Sequence, residues 1–220
     1  MAQSGSDAQA KRTLKILCFG DSLTEGYAQW GAVMAPYSKT LGKVLREKMG
    51  EEWEIEVATE GVSGELVMGM PRRMGRVYEK PENKLSPPDF TIFLGGTNDL
   101  AYNRPANTIL NDIKATVAVP LSRGARVLLM TVPECKVKRE SLDTRRNELN
   151  GLIKGYAEEN KDVFVFDLFD KIQYHSMDEE DRHEIWDDGL HLTAEGYRWM
   201  GELAAKRLLE ILGATDEPVR

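Results

Sequence analysis

The stretch Lys15-Ile16-Leu17-Cys18-Phe19-Gly20-Asp21-Ser22-Leu23-Thr24 decides the fold of this chain. Residues 15–19 form a short apolar run bounded by turn residues, which predicts a buried β-strand. Glycine, aspartate and serine follow at once, and these residue types favour turns for backbone reasons. A serine in this position lies at the carboxyl edge of the sheet if the strands run parallel, and this is the edge where such sheets bind ligands.

The rest of the chain alternates short apolar runs with longer amphipathic ones. Four more strands are predicted, over residues 53–58, 90–94, 126–130 and 163–166. Helices are predicted over residues 36–49, 67–79, 105–119, 142–158 and 193–211. This alternation predicts an α/β fold, a three-layer α/β/α sandwich around a five-stranded parallel sheet. We expect one domain over residues 14–212, with a flexible tail at residues 1–13 and a second tail at residues 213–220.

Composition narrows the class of protein. The chain has 220 residues, 41% of them hydrophobic, and a formal net charge of -7. These values are typical of a soluble globular protein, and the negative charge argues against nucleic acid as a partner. No apolar run approaches the roughly eighteen residues that span a bilayer, so we expect no stable membrane insertion.

The sequence also indicates the cellular compartment in which we expect the protein. The polar start does not resemble a signal peptide, and the two cysteines, Cys18 in one predicted strand and Cys135 after another, do not form a disulfide framework. We therefore predict a cytoplasmic protein, with secretion left open if a leader has been removed. No Cys/His cluster suggests a metal site, and we expect neither a metal nor a cofactor.

Polar residues follow three of the predicted strands and precede the last predicted helix. Ser22, Gly64 and Asn98 come after the first, second and third strands, and Asp188-Gly189-Leu190-His191 lies before the final helix. Because parallel strands end at one edge of a sheet, we expect the first three to converge there.

These residue types are the parts of a serine acyl-transfer site. A serine hydroxyl such as that of Ser22 needs a base to take its proton during attack, and a histidine such as His191 serves as one near neutral pH. The imidazole needs an acceptor on its other ring nitrogen. Asp188 is the predicted acceptor, and Asp187 is an alternative that spacing does not exclude.

An acyl-transfer site also needs donors for the oxyanion that forms on attack. The backbone amides of Ser22 and Gly64 are candidates, since a glycine permits close approach of the backbone. The side-chain amide of Asn98 is a third candidate donor. Tyr27, Trp30 and Trp186 are candidates for an acyl or alcohol pocket, although aromatic residues in such places are as often packing residues.

Four short blocks, in this order, resemble the conserved blocks of the GDSL, or SGNH, hydrolases. They are Phe19-Gly20-Asp21-Ser22-Leu23-Thr24, Gly61-Val62-Ser63-Gly64-Glu65, Gly96-Thr97-Asn98-Asp99 and Asp188-Gly189-Leu190-His191. The resemblance implies a flavodoxin-like sheet, with Ser22 as nucleophile, Gly64 and Asn98 as oxyanion donors, and His191 with Asp188 as base and orienter. One departure is Thr59, where many relatives carry asparagine.

The predicted function is a serine esterase that hydrolyses a small carboxylic ester, short-chain or acetyl, through an acyl-enzyme. A lipase, a lysophospholipase or a thioesterase of the same family is the alternative, and a non-catalytic module for a sugar or acyl ligand is an alternative of another class. Nucleotide or flavin binding is the weakest of these hypotheses, because Gly95-Gly96-Thr97-Asn98 has neither the dinucleotide-binding glycine spacing nor a phosphate-binding lysine. The sequence does not match the Gly-x-Ser-x-Gly pattern of an α/β-hydrolase elbow, since Thr24 stands in place of its second glycine.

Overall fold

The computed structural model describes residues 11–213, and most of both predicted tails lies outside these residues. The strands are β1 (Arg12–Gly20), β2 (Tyr27–Ala28), β3 (Val33–Met34), β4 (Trp53–Gly61), β5 (Phe90–Leu94), β6 (Arg126–Met130) and β7 (Val163–Phe166). The α-helices are α1 (Ser22–Glu25), α2 (Tyr37–Met49), α3 (Met70–Tyr78), α4 (Pro81–Leu85), α5 (Thr97–Ala101), α6 (Ala106–Ser122), α7 (Glu140–Glu158), α8 (Leu168–Lys171), α9 (Glu179–Ile185) and α10 (Ala194–Leu212). Short 3-10 turns cover Gln29–Gly31 and Val67–Gly69.

Five strands form a parallel sheet in the order β4-β1-β5-β6-β7. Counting only these five strands along the chain, the order is 2-1-3-4-5, which is that of the flavodoxin-like fold. The predicted α/β class and five-stranded parallel sheet are therefore confirmed.

Helices cover both faces of the sheet. On β1, Ile16 and Cys18 belong to a core that includes residues of α2 and α10, whereas Leu17 and Phe19 belong to a second core with residues of α3, α6 and α7. Successive residues of a strand point to opposite faces, so an apolar run without alternation is what a sheet covered twice requires. This is the predicted three-layer sandwich.

The main difference from the predicted elements lies in β1 and β4, which are longer than expected. They pair from Arg12 with Trp53 to Gly20 with Gly61, so β1 begins within the predicted tail. β4 is an edge strand with a largely exposed pattern, and its last residues lack the apolar alternation from which a strand is predicted. Within residues 11–213, no helix has the length and apolar character needed to cross a membrane.

Candidate active site

The carboxyl ends of β1, β4 and β5 lie side by side, so the loops that follow these strands begin at the same edge of the sheet. Gly20 at the end of β1 pairs with Gly61 of β4 on one side and with Leu94 of β5 on the other. The amide of Val62 extends this ladder by donating to the carbonyl of Gly20 at 3.1 Å. The segments that carry Ser22, Gly64 and Asn98 therefore begin beside one another at the carboxyl edge of the sheet, as we expected from the positions of the strand ends.

Ser22 is the first residue of α1, a single helical turn that follows β1 directly. The Asp21 carboxylate caps this turn by accepting the amide of Leu23 at 3.0 Å. Gly20 has no room for a side chain, because a Cβ there would lie 2.1 Å from the carbonyl oxygen of Leu94. The backbone therefore turns sharply at the strand end, and the Ser22 side chain is almost buried, with the residue 6% exposed.

Ser22, His191 and Asp188 form one chain of hydrogen bonds. The Ser22 Oγ lies 2.9 Å from His191 Nε2, and His191 Nδ1 lies 2.8 Å from Asp188 Oδ2. A carboxylate only accepts hydrogen bonds, so the Nδ1 carries the proton and Nε2 is left to accept from the serine hydroxyl. Residues 169 positions apart in sequence are thus in direct contact.

Asp188 is held by amides of its own loop. Its Oδ1 accepts the backbone N–H of Leu190 at 2.9 Å and that of His191 at 2.8 Å. Burial by itself raises the pKa of Asp188, but the hydrogen bonds from the His191 side chain and from these two amides outweigh it and bring the pKa below its usual value. The carboxylate beside the imidazole is therefore ionised at neutral pH.

Asp187, the alternative orienter, is directed elsewhere. Its carboxylate accepts the amide of Gln29 at 2.6 Å, while its own amide donates to the carbonyl of His191 at 2.9 Å. Gln29 and Trp30 have left-handed backbone angles, with φ of 50° and 57°, which is uncommon outside glycine. Asp187 therefore fixes a strained turn, and Asp188 is the carboxylate on the imidazole.

Gly64 and Asn98 face the same edge but differ in how they are held. A Cβ on Gly64 would meet no protein atom within 4 Å, and its φ of +76° is a backbone conformation that favours glycine. The Asn98 Nδ2 donates to the carbonyl of Glu65 at 3.1 Å. A side-chain amide carries two hydrogens, so a second N–H of Asn98 is available for a ligand.

Arg73 is a residue of this site that sequence reasoning missed. Its guanidinium donates to the carbonyls of Gly20 at 2.7 Å and Glu60 at 3.0 Å, and it pairs with the Glu65 carboxylate at 2.5 Å. It also lies 3.7 Å from the centre of the Phe19 ring. The ends of β1 and β4 are thus tied to the loop that carries Gly64. The available clue was an arginine three residues after Met70, on the apolar face of α3.

The three predicted pocket aromatics occupy different settings. The Tyr27 ring centre lies 4.7 Å from that of His191, so it packs directly on the imidazole. Trp30 is 84% exposed and lines a cavity of about 430 Å³ that also touches Asp188 and Gly189. Trp186 lines the same cavity but is 4% exposed and packs edge-on against Tyr174, so it belongs chiefly to the core.

Thr59, the departure from the family pattern, has a local partner. Its hydroxyl lies 2.6 Å from that of Ser38 on α2, and either group can donate. The second block therefore keeps a side-chain hydrogen bond to the neighbouring helix where many relatives carry asparagine.

Comparison with known proteins connects this geometry to a family. Residues 18–199 match the model of the GDSL-like lipase/acylhydrolase family. Among solved structures, a carbohydrate acetylesterase family member from Sinorhizobium meliloti is 21% identical with a TM-score of 0.65, over 92% of this chain and 99% of that chain. A lipase/acylhydrolase from Enterococcus faecalis is 24% identical with a TM-score of 0.67, over 94% of this chain and 100% of that chain.

A GDSL-like lipase from Bacteroides thetaiotaomicron is 20% identical with a TM-score of 0.62, over 90% of this chain and 88% of that chain. The search of curated proteins found no match. At these identities the solved structures establish only that the fold is shared. The assignment to a family therefore rests on the match to the family model. Because that model spans most of the sequence, the chain belongs to the GDSL-like lipase/acylhydrolase family and is an ester hydrolase.

Proposed function

We propose that this protein is a serine esterase that hydrolyses small carboxylic esters, short-chain or acetyl esters above all, through an acyl-enzyme. The observation that carries the proposal is the continuous chain of hydrogen bonds from Ser22 through His191 to Asp188 at the carboxyl edge of the sheet. A serine beside a base, with the base oriented by a third group, is the arrangement that nucleophilic catalysis needs.

In the proposed reaction, Ser22 Oγ attacks the ester carbonyl carbon while its proton passes to His191 Nε2. The ionised Asp188 stabilises the imidazolium that results. The amides of Ser22 and Gly64 and the side chain of Asn98 donate to the oxyanion. His191 then protonates the departing alcohol, which leaves the acyl group on Ser22.

Water completes the cycle. His191 takes a proton from a water molecule as its oxygen attacks the acyl carbon, and the oxyanion forms again in the same place. Collapse of that intermediate breaks the bond to Ser22 Oγ, which takes the proton back from His191. The carboxylic acid product then dissociates as a carboxylate.

Two features support a small substrate. The cavities that touch Asp188 and Gly189 have volumes of about 360 and 430 Å³, which is at the lower end for small-molecule sites. In addition, a solved structure with this fold is that of a carbohydrate acetylesterase family member, and acetyl is the smallest common acyl group among such esters.

A different observation favours the lipase or lysophospholipase alternative. Six large apolar side chains are exposed in the loops near this edge of the sheet: Trp30, Met34, Val62, Met68, Tyr102 and Val137. Exposed apolar side chains are typical of a surface that meets lipid or another protein where they form one patch. A thioesterase would use the same nucleophile and base.

Hydrolysis of 4-nitrophenyl esters of increasing acyl length, with Ser22→Ala as the test variant, separates these functions. We expect the highest kcat/KM for acetyl to butyryl esters and a loss of about 10⁴- to 10⁶-fold in kcat for Ser22→Ala. Ser122→Ala, at an exposed serine at the end of α6, is the matched control and should keep full activity. A preference for long chains would favour the lipase.

Covalent labelling tests the non-catalytic alternative. A fluorophosphonate probe should modify the native protein and Ser122→Ala but not Ser22→Ala, because it reacts with an activated serine. Equal labelling of Ser22→Ala, or no turnover of any ester or thioester together with no labelling, would contradict the proposed function.

A further inference from the structure

A second cavity lies beside the proposed reaction centre, between the loop that joins β6 to α7 and the loop that carries Asp188. Its volume is about 360 Å³, and its walls include Thr97, the neighbour of Asn98, as well as Asp188 and Gly189. The cavity therefore touches both the oxyanion side and the base side of the site. Its apolar wall is formed by Leu100, Val132, Pro133, Leu142 and Leu190.

Four cationic side chains also line this cavity: Lys136, Arg139, Arg145 and Arg146. Within residues 11–213, only one of them has an ion-pair partner, since Arg146 binds Asp143 at 2.8 Å. Arg145 donates to the neutral amide oxygen of Asn103 at 2.6 Å. The carboxylate that lines the cavity, Asp188, is engaged by His191. In a chain of net charge -7, this cavity therefore has an unbalanced positive charge.

The walls also contain polar atoms without a partner. Among the described residues, Thr97 Oγ1, Arg145 Nε and Arg146 Nε are buried and form no hydrogen bond. Buried polar groups in folded proteins are nearly always paired, so the guanidinium groups of Arg145 and Arg146 retain hydrogen-bonding capacity that no described residue uses. Two of these three are arginine N–H groups, for which a carboxylate or phosphate oxygen is the strongest partner.

The loop that carries two of the cations is fixed on both sides. The amide of Lys136 donates to the carbonyl of Gly189 at 2.6 Å, which joins it to the loop of Asp188. On its other side, the Glu134 carboxylate accepts the amides of Tyr174 at 2.7 Å and His175 at 3.0 Å. The positive charges are thus attached to a loop whose place beside the reaction centre is defined.

We propose that this cavity binds an anionic group of the substrate, so that the enzyme prefers esters with a negative charge a few bonds from the scissile carbonyl. The inference rests on the proposed esterase function and narrows its substrate class. A neutral acyl or alkyl part would fill the apolar wall, while a carboxylate or phosphate at its end would reach Lys136, Arg139 and Arg145. Either the acyl or the alcohol part of the ester can carry that charge.

Matched ester pairs test the proposal and distinguish the two parts. For the acyl side, 4-nitrophenyl hemisuccinate is compared with 4-nitrophenyl pentanoate, which has similar length but no charge. For the alcohol side, 4-acetoxybenzoate is compared with its methyl ester. The measured quantity is the ratio of kcat/KM for the charged ester to that for the neutral ester in each pair.

The test variant is Lys136→Gln/Arg139→Gln, which removes two exposed positive charges and leaves shorter, uncharged polar side chains. We expect the ratio to fall about five- to thirtyfold in one of the two pairs, since an exposed ion pair contributes at most about fivefold. Arg139→Glu should lower it too, and added salt should reduce the ratio of the native enzyme. The control Lys43→Gln/Lys161→Gln makes the same charge change on α2 and in the loop before β7 and should leave both ratios unchanged.

The possible results distinguish the proposed anionic subsite from the proposed esterase function. Hydrolysis that depends on Ser22, with ratios in both pairs that match those of the control variant, would overturn the anionic subsite alone. Equal losses for charged and neutral esters would overturn it as well, because they would indicate a structural role of the loop. Hydrolysis that persists in Ser22→Ala would overturn the esterase proposal, and this inference with it.

Discussion

Two loops flank Ser22, and they are held in opposite ways. In the base loop, residues 186–192, Asp188 accepts the amides of Leu190 and His191, so the carboxylate that orients the base is held within its own loop. In the oxyanion loop, residues 61–65, the contacts come from charged side chains elsewhere in the chain: Arg73 binds Glu65, and Glu25 accepts the amide of Ser63 at 3.0 Å. The orienting carboxylate is thus held by amides of its own loop, whereas the oxyanion loop depends on side chains outside it.

This difference determines which substitutions should lower the activity most in each loop. The base loop presents side chains to the reaction, so substitutions within it should have the largest effects. The oxyanion loop presents a backbone amide, which no substitution other than proline removes, so it should be most sensitive at the residues that position it. We expect the loss of activity to decrease from Asp188 in the base loop, through Asn98, to Arg73 behind the oxyanion loop, and to be smallest at Asp21.

The largest effect is expected for Asp188→Asn. An amide in this place can donate to the imidazole and favour the wrong tautomer, so that Nε2 no longer accepts the proton of Ser22. We expect kcat to fall about 10⁴-fold, as for the equivalent change in other serine triads. Steady-state kinetics on a 4-nitrophenyl ester measures this loss.

Asp187→Ala is the matched control for that loss. It removes the acceptor of the Gln29 amide but leaves the bond between His191 and Asp188 intact. We expect a decrease in kcat of less than about tenfold, the effect of a displaced loop and not of a lost orienter. If both variants lost activity equally, the bond from Asp188 to His191 would not be what distinguishes the two carboxylates.

On the oxyanion side, Asn98→Ala should lower kcat about 10²- to 10³-fold, the usual cost of one lost oxyanion donor. KM should change little, because the donor acts on charge that develops during attack. Thermal unfolding should shift by only a few degrees, since one half-buried hydrogen bond to Glu65 is lost. Loss of fold would instead show that Asn98 is mainly structural.

Arg73→Lys tests whether the oxyanion loop is positioned from outside. A lysine keeps the charge but cannot reach the carbonyls of Gly20 and Glu60 and the Glu65 carboxylate together, because it lacks the planar fork. We expect kcat to fall about tenfold to a hundredfold with a smaller change in KM, since misplacement by about 1 Å has effects of that size.

The control for this substitution is its neighbour, Arg72→Lys, at an exposed position of the same helix. It should behave as the native enzyme. If Arg73→Lys instead changed only the unfolding temperature and left kcat intact, Arg73 would stabilise the fold without positioning the oxyanion loop.

The same contrast explains what the sequence could and could not predict. The strands predicted at residues 90–94, 126–130 and 163–166 match the observed β5, β6 and β7, because a sheet with helices on both faces leaves uninterrupted apolar runs. The contact between Asp188 and His191 was expected from their spacing within one loop. The bond from Arg73 to Gly20 joins residues 53 positions apart, and no local pattern encodes it.

Short elements were also missed. The two-residue strands β2 and β3 pair only Tyr27 with Met34 and Ala28 with Val33, which is too short for any periodicity to mark. The single turn of α1 is defined by the cap at Asp21 and by Gly26, whose φ is 80°. Both elements are set by where the chain must turn at the sheet edge.

Asp21 lies beneath both loops, and Asp21→Asn should affect stability more than activity. Burial raises the pKa of Asp21 to about 7; the hydrogen bond from the Leu23 amide opposes this, and the nearby carboxylates of Asp99 and Glu65 add to it. These two carboxylates belong to the oxyanion side. One carboxylate oxygen of Asp21 has no hydrogen-bond partner among the described residues, so ionising this group in the folded protein is costly.

The direction of the pH effect on stability follows from the difference in the pKa of Asp21 between the folded and the unfolded protein. In the unfolded chain an aspartate ionises near pH 4, whereas Asp21 in the folded protein keeps its proton until about pH 7. Between these values the unfolded state binds fewer protons, so this group lowers the free energy of unfolding as the pH rises, and the loss is complete above pH 7.

Asn cannot ionise but can still accept the Leu23 amide. The free energy of unfolding of Asp21→Asn minus that of the native protein, measured by urea denaturation, should therefore increase from pH 4 to pH 8 by about 1–4 kcal/mol. Taking this difference cancels the opposite contribution of Asp188, whose lowered pKa stabilises the fold as the pH rises. A difference that is the same at pH 5 and pH 8 would mean that Asp21 is already ionised beneath Ser22 at pH 5, with its charge balanced by a partner on the oxyanion side.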